Sequence, residues 1–496
     1  MQESLAAAFR VATSLPLFLL TSRLSSSYRL SLMKCFVVIC SLLATWGILQ
    51  DQFRDGRFEG PFEYANAWGI VLLVGLIVSI MIVNLTNQMR YLWLCSILTA
   101  GVVLTGSRTV VILLLIAIPI QYLAFGKSHR RTWAQVTLAI AAGGLASLLL
   151  PLSKSFFFAA LALILVIQLL FHKKQWPALP TVIASAAILS SALLLLGFSN
   201  PTSLQRFKQL GIHASEWTTR LGYYRDAWSM IKDAPLLGYG GGAWNILQYR
   251  YQTAAYTVAY VHNHVLETWI ETGIAGVLLL IGTALAFLIK AIGAYKDAAP
   301  MARIGIASYM TAFGCLFAHS LVDFTFSYPL LFGLWVMLGV LAVPSSEMKA
   351  TLTTVHISRF VIASMAAMTL AIFAFRIGTS EVFMTQAEQI KDAPAAIAKI
   401  RQSIPLAVSP ATQHTRIAYL STEQYLRTHE TTLLDAASQE VSEALALNPD
   451  DVHSLFLRCQ IAYAQGDTAQ AKLDLQELIK QYPFRTDFRT ELARWN

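Results

Sequence analysis

Val261-His262-Asn263-His264-Val265-Leu266-Glu267-Thr268-Trp269-Ile270-Glu271-Thr272-Gly273-Ile274-Ala275-Gly276 joins two kinds of chain. A polar stretch from Ser199 to about Glu271 runs up to it, and an apolar run near 272–293 leaves it. That run is long enough to cross a bilayer core, which takes about twenty residues. Two imidazoles, two carboxylates and an indole thus gather just outside a hydrophobic span, where ionisable groups are costly and mark functional sites. Runs of the same kind recur near 31–50, 66–86, 89–106, 109–125, 134–151, 155–172, 180–198, 303–322, 328–345 and 360–377, with a weaker one over 5–22. The pattern predicts an all-α polytopic membrane protein with about 11–12 transmembrane helices, divided into a membrane domain over 1–377, with its long loop at 199–271, and a hydrophilic helical domain over 378–496.

Composition points the same way. A mean hydropathy of +0.55, with 56% apolar and 13% charged residues, excludes an ordinary soluble globule. The net charge of +9 sits in short clusters between apolar runs, as topology signals do, so no nucleic-acid partner is expected. One alternating set of loops holds Arg23, Arg29, Lys34, Arg90, Lys127, Arg130, Arg131, Lys173, Lys174, Lys290, Lys296, Arg303, Lys349 and Arg359. The other set has only Arg54, Arg57, Arg108 and Lys154 in its short loops. The first set is therefore cytoplasmic, and the 199–271 loop and the tail are periplasmic, on the outer side of a bacterial inner membrane. The same parity puts the N-terminus outside, so either 5–22 does not span or a helix is missing upstream. Arg10 precedes the short run Val11–Leu20 without a small-residue cleavage site, unlike a signal peptide. Four of the five cysteines lie inside apolar runs, which gives neither a disulfide framework nor a cysteine metal site.

The tail reads as a helical repeat. Leu445-Ala446-Leu447-Asn448-Pro449-Asp450-Asp451 recurs in kind at Leu478-Ile479-Lys480-Gln481-Tyr482-Pro483, and the two prolines stand 34 residues apart, the tetratricopeptide period. One repeat cannot bury its own face, so helices from about Ser380 to Gln439 must complete the stack. Such a tail either caps and stabilises the membrane domain or docks a periplasmic partner.

Four groups of residues on the outer side could carry chemistry. In Thr105-Gly106-Ser107-Arg108, the arginine is either a snorkelling anchor or, with the amides of a tight Gly-Ser turn, a grip on phosphate. Around Arg220 and Arg225, the spacing of Leu221, Tyr224, Trp228 and Ile231 predicts an amphipathic helix lying against the membrane. It should stop at Asp233-Ala234-Pro235, before a glycine run, Gly238 to Gly242, that is a flexible or close-packed turn. That run lacks the strand and Lys-Ser/Thr ending of a P-loop. His262 and His264, two apart, do not share a helical face as zinc ligands would, which leaves one imidazole as a base for a hydroxyl or as a cap. His319 and Asp323, four apart, share a face if their helix continues, and either orient a site or pair with each other.

Taken in order, the Gly-Ser-Arg turn, the Arg-Leu helix leading to Pro-Leu-Leu-Gly-x-Gly, and His-Asn followed after nine residues by Gly-x-x-Gly resemble the O-antigen ligase superfamily over roughly 60–345. That group includes lipopolysaccharide O-antigen ligases, Wzy-type polymerases and protein O-oligosaccharyltransferases. The resemblance implies a GT-C-like membrane glycosyltransferase that uses no metal or other cofactor. Its donor would be an undecaprenyl-diphosphate-linked glycan on the periplasmic side. Its acceptor would be a lipid A core, a protein such as pilin, or a growing glycan. Carried over, Arg108 and Arg220 grip the diphosphate, Arg225 is a further match, and His262 is the essential base. Asn263, His264, Glu267, His319 and Asp323 stand as supporting residues, and the implied single displacement inverts the anomeric carbon. The segment from His319 through Tyr328-Pro329-Leu330, with the tail behind it, resembles the oligosaccharyltransferase branch more than the compact lipopolysaccharide ligases, although Asp323 stands where that branch often has glutamate, and tail-bearing members of unassigned role look similar too. Two other classes compete: a transporter, for which no inverted repeat is visible, and an envelope assembly scaffold recruiting through its tail.

Overall fold

The computed structural model describes residues 2–88, 90–126, 130–173, 214–343 and 357–496. They are overwhelmingly helical; among them the strands are one small hairpin, β1 (Phe53–Arg54) and β2 (Arg57–Phe58), with Phe53 opposite Phe58. The chain divides into two compact units. One joins Ser14–Ser215 to Leu279–His356, and the other joins Met1–Thr13, Glu216–Leu278 and Ile357–Asn496.

The weak apolar stretch over 5–22 is not one span. It forms α1 (Gln2–Ala12) and α2 (Ser14–Arg23), parted at Thr13, where the two units also divide. In the membrane unit follow α3 (Ser26–Leu49), α4 (Ala65–Thr86), α5 (Arg90–Leu104), α6 (Arg108–Gln121), α7 (Arg130–Ala146) and α8 (Lys154–Lys173). The expected span near 180–198 lies outside the described residues. Every residue of α4 from Ala65 to Asn84 is buried, because α3, α5, α6 and the later helix Pro300–Ser320 surround it; a helix apolar on all sides needs such an interior place. Close approach of α5 and α7 depends on Gly143, where a Cβ would meet the Ser96 carbonyl, and Ser96 Oγ donates to the Ala139 carbonyl at 2.9 Å. Without a hydrophobic drive between helices in lipid, such small-residue contacts set the packing.

In the other unit, α9 (Ala214–Asp233) and α10 (Ala243–Tyr251) lead into α11 (His264–Asp297), whose residues from Leu279 on belong to the membrane unit. The last helix is broken at Gly273 (φ 67°, ψ −168°): its first turns carry His264, Glu267 and Glu271, and the uninterrupted apolar run begins beyond the break. It is followed by α12 (Pro300–Ser320) and α13 (Pro329–Leu341) of the membrane unit, then α14 (Ile357–Glu388). By length and composition, the stretches 26–49, 65–86, 132–149, 264–297 and 300–320 can cross a membrane among the described residues; those over 90–104, 108–124, 154–166 and 329–341 are apolar but shorter.

The tail is a stack of antiparallel helices: α15 (Ala393–Ser403), α16 (Ala411–Thr428), α17 (Thr432–Leu447), α18 (Val452–Ala464), α19 (Thr468–Gln481) and α20 (Thr486–Trp495). The expected turns fall where proline, glycine and aspartate put them. Asp392 and Asp451 cap α15 and α18 by accepting from the amides three residues on, and Gly466 takes φ +97° between α18 and α19. Ala418, Ala437, Val441, Leu445, Leu457 and Ile461 form a core shared by α16, α17 and α18.

Candidate active site

The polar segment before α11 folds around two tyrosines of α9. Buried Tyr223 packs on Tyr256 (ring centroids 4.6 Å apart) and lies nearly parallel to the His262 ring at 6.1 Å, while Tyr224 Oη donates to the His262 carbonyl at 2.9 Å. Arg220, one turn earlier, opposes through its charge the rise that burial causes in the Tyr223 phenol pKa. One helix thus brings two tyrosines against the histidine, with an arginine one turn before the first of them. Its buried stripe is Tyr223, Ala227, Met230 and Ile231. Of the four residues expected to form a membrane-facing side, Leu221 and Trp228 are exposed, Tyr224 is partly buried and Ile231 joins the buried stripe against the aromatic loop. Arg225 is on the exposed side. Asp226 is fully buried and accepts from Thr253 N and Oγ1 at 3.0 Å each and from Tyr256 Oη at 2.7 Å, which pins the loop that leads to His262. Burial and this carboxylate push the Tyr256 pKa up, keeping the phenol a donor.

His262 takes a left-handed backbone conformation (φ 61°), uncommon for a side-chain-bearing residue and a place where strain collects at functional sites. Asn263 is the cap of α11: its Oδ1 accepts from Val265 N at 3.0 Å and Leu266 N at 3.2 Å. Glu267 turns back to accept from Val261 N at 2.8 Å. The two histidines therefore differ in kind. His264 is buried, and burial, assisted by Arg10, pushes its pKa down to about 3, so it stays neutral and is a poor base. Burial pushes the Glu267 carboxyl up to about 8, with Glu271 adding to the rise and the Val261 amide and Arg10 opposing it. Arg10 of α1 makes an ion pair of 3.1 Å with Glu271, whose Oε1 also accepts from Gly242 N at 2.8 Å. Arg10 and Glu271 thus pair in this cluster, while burial favours the uncharged forms of Glu267 and His264.

The glycine run is close-packed. Tyr239 N donates to the Ile270 carbonyl at 2.7 Å, Gly240 N to that of Glu271 at 3.0 Å, and Ile274 N to that of Pro235 at 3.0 Å. Gly238 and Gly273 meet where these backbones touch: a Cβ on Gly273 would come within 2.0 Å of the Leu236 oxygen. Pro-Leu-Leu-Gly-x-Gly and Gly-x-x-Gly are the two halves of one junction.

In the membrane unit, a second polar group collects at one end of the helices. Gly106 takes φ +61° in the expected tight turn, and Arg108 opens α6. Arg57 Nε donates to the Thr105 carbonyl at 3.0 Å and its Nη2 to Asn66 Oδ1 at 2.5 Å. Because α12 ends at Ser320, Asp323 lies beyond the helix and does not continue the face of His319. Instead, buried Asp323 accepts from Tyr64 Oη at 2.9 Å and Asn66 Nδ2 at 2.7 Å, and His319 Nδ1 lies 2.5 Å from Thr325 Oγ1.

Sequence reasoning missed Arg57, Tyr64, Asn66, Asp226 and the approach of Arg10 to Glu271. Asp226 in the Arg-Leu helix, a lone acid among aromatics, was the one that carried a readable signal. Of the expected site residues, Arg220, Arg225, His262, Asn263, His264 and Glu267 belong to one unit, and Arg108, His319 and Asp323 to the membrane unit. A family model described as O-antigen ligase matches residues 139–281, a stretch that contains α9, α10 and the His262 to Gly276 junction. No curated protein matches the chain.

Proposed function

We propose that this protein transfers a glycan from undecaprenyl diphosphate to an acceptor hydroxyl at the periplasmic face of a bacterial inner membrane, with His262 as the general base. The observation that carries the reading is the left-handed His262, held by Tyr223 and Tyr224 of the helix that bears Arg220, inside the stretch that matches O-antigen ligase. The match supports glycan transfer by a membrane enzyme. The donor, the stereochemistry and the residue roles are our inference.

His262 would take the proton from the acceptor hydroxyl as its oxygen attacks the anomeric carbon. The bond from that carbon to the diphosphate oxygen breaks, and undecaprenyl diphosphate leaves with the bonding electrons. Attack from the face opposite the leaving group inverts the centre. Arg220 would hold the diphosphate, and a guanidinium that binds more tightly as negative charge develops lowers the barrier; the resemblance assigns the same role to Arg108 and, as a further match, Arg225. Such charge does for the leaving group what a divalent ion does elsewhere, so the scheme requires no metal.

The test is transfer by the purified full chain in lipid nanodiscs, supplied with lipid-linked oligosaccharide and, in turn, lipid A core, pilin and a second lipid-linked glycan. The acceptor consumed separates ligase, protein transferase and polymerase. His262→Ala is expected to lower turnover roughly 10²–10⁴-fold with normal membrane insertion. Arg220→Lys should recover only part of what Arg220→Ala loses, because a point charge replaces a bidentate fork. Wild-type turnover in His262→Ala would overturn the reading.

A further inference from the structure

We propose that the C-terminal helical repeat positions the His262 loop through Tyr249 and Arg250 of α10, and is thereby a working part of the transferase. This rests on His262 being the base. A nine-residue helix is marginal by itself, so its orientation is set by what its sides bury.

One side of α10 belongs to the loop. Fully buried Trp244 stacks on Tyr256 (6.3 Å, 13° between planes), and Gln248 exchanges two hydrogen bonds with Val258, Nε2 to the carbonyl at 2.9 Å and the amide to Oε1 at 3.1 Å. Tyr256 in turn packs on Tyr223, which lies against His262. The other side belongs to the tail. Tyr249, only 6% exposed, is buried in one core with Val452, Leu475, Leu478, Tyr482 and Phe488. His453 meets its ring edge-on, and the Arg485 guanidinium lies 5.3 Å from its centroid. Beside it, Arg250 Nη2 donates to Asp450 Oδ1 at 2.5 Å and Nε to Tyr482 Oη at 3.3 Å.

The pairs Asp450–Arg250 and Tyr482–Arg250 come from the two turns whose 34-residue spacing marks the repeat. A shift of α18 against α19 therefore pulls on α10, and α10 carries Val258, four residues from His262, with it. A molecule seated on the repeat would act on the transfer step by this route.

The test uses the full chain in nanodiscs and two readouts, amide hydrogen exchange over 252–263 and transfer kinetics. Arg250→Asp, which sets two like charges together, is expected to raise loop exchange and lower kcat roughly 10- to 100-fold while donor KM changes less than about twofold, since misplacement of a catalytic group costs on this scale. Asp450→Arg in the same chain should restore both, and Tyr249→Phe, which keeps the ring in the core, should stay near wild type where Tyr249→Leu does not. Unchanged loop exchange in both Arg250→Asp and Tyr249→Leu overturns the proposal, as does failure of the reciprocal swap to recover any of the loss. If the wild-type chain transfers no glycan yet Arg250→Asp loosens the loop reversibly, the positioning stands and the assigned reaction falls.

Discussion

Neighbouring side chains of the same type are separated by their surroundings. His262 and His264 are indistinguishable by residue type and two positions apart, yet His264 is buried beside Arg10 and held neutral, whereas His262 sits on a strained backbone against two tyrosines. Spacing alone can exclude a shared helical face; it cannot say which imidazole is buried. The paired acids differ similarly, and this yields a pH dependence. Glu267, raised to about 8 from an unfolded value of about 4.3, favours the fold fully below the lower value and loses that contribution as pH rises through the upper one. His264, depressed to about 3, acts oppositely: its contribution is complete above about 6.5 and is lost as pH falls toward 3. Thermal unfolding of Glu267→Gln should therefore fall less between pH 5 and 8 than that of the parent, because the amide has no proton to lose. Parallel curves for the two proteins would show that the carboxyl is already ionised in the folded state.

Elements were legible wherever a local rule fixed their ends. The stop of α9 at Asp233 was legible from Pro235 two positions on; the turn at Gly466 and the caps at Asp392 and Asp451 obey equally local rules, which the sequence reading did not apply to the caps. Phase was less legible. A second stripe on α9, Tyr223, Ala227 and Met230, was not readable, because only the packed loop shows that this side of the helix is covered. The junction between the glycine run and α11 was half legible: two glycine motifs stood out, but their contact did not. That contact predicts a severe effect of Gly273→Ala. The new methyl would face the Leu236 oxygen at 2.0 Å, and alanine would have to hold φ +67°, together costing about 3 kcal/mol or more. Separation of Pro235 from Ile274 should follow, seen as loss of protection at the Tyr239, Gly240 and Ile274 amides. A variant with wild-type protection there would mean that the break in α11 does not depend on this contact.

At the scale of the whole molecule, hydropathy sufficed for the all-α membrane class, since bilayer thickness and the need to satisfy every backbone group leave few alternatives. It could not reveal that α10, a helix of the polar segment, shares its core with the tail. Tyr249 and Tyr482 are separated by more than two hundred residues, and no periodicity links them. The sequence left two roles open for the tail, cap or dock, and the shared core argues for a third consequence that separates them. A chain truncated after Glu388 would lose Val452, Leu475, Tyr482 and Phe488, exposing the Tyr249 ring and leaving Arg250 without Asp450. If the tail only recruited an acceptor, excess soluble acceptor would restore transfer by the truncated chain. The wiring of α10 predicts that it will not: turnover should remain at least about tenfold down at saturating acceptor, with donor binding and membrane insertion retained. Full recovery at high acceptor concentration would assign the tail to recruitment and leave the His262 loop self-sufficient.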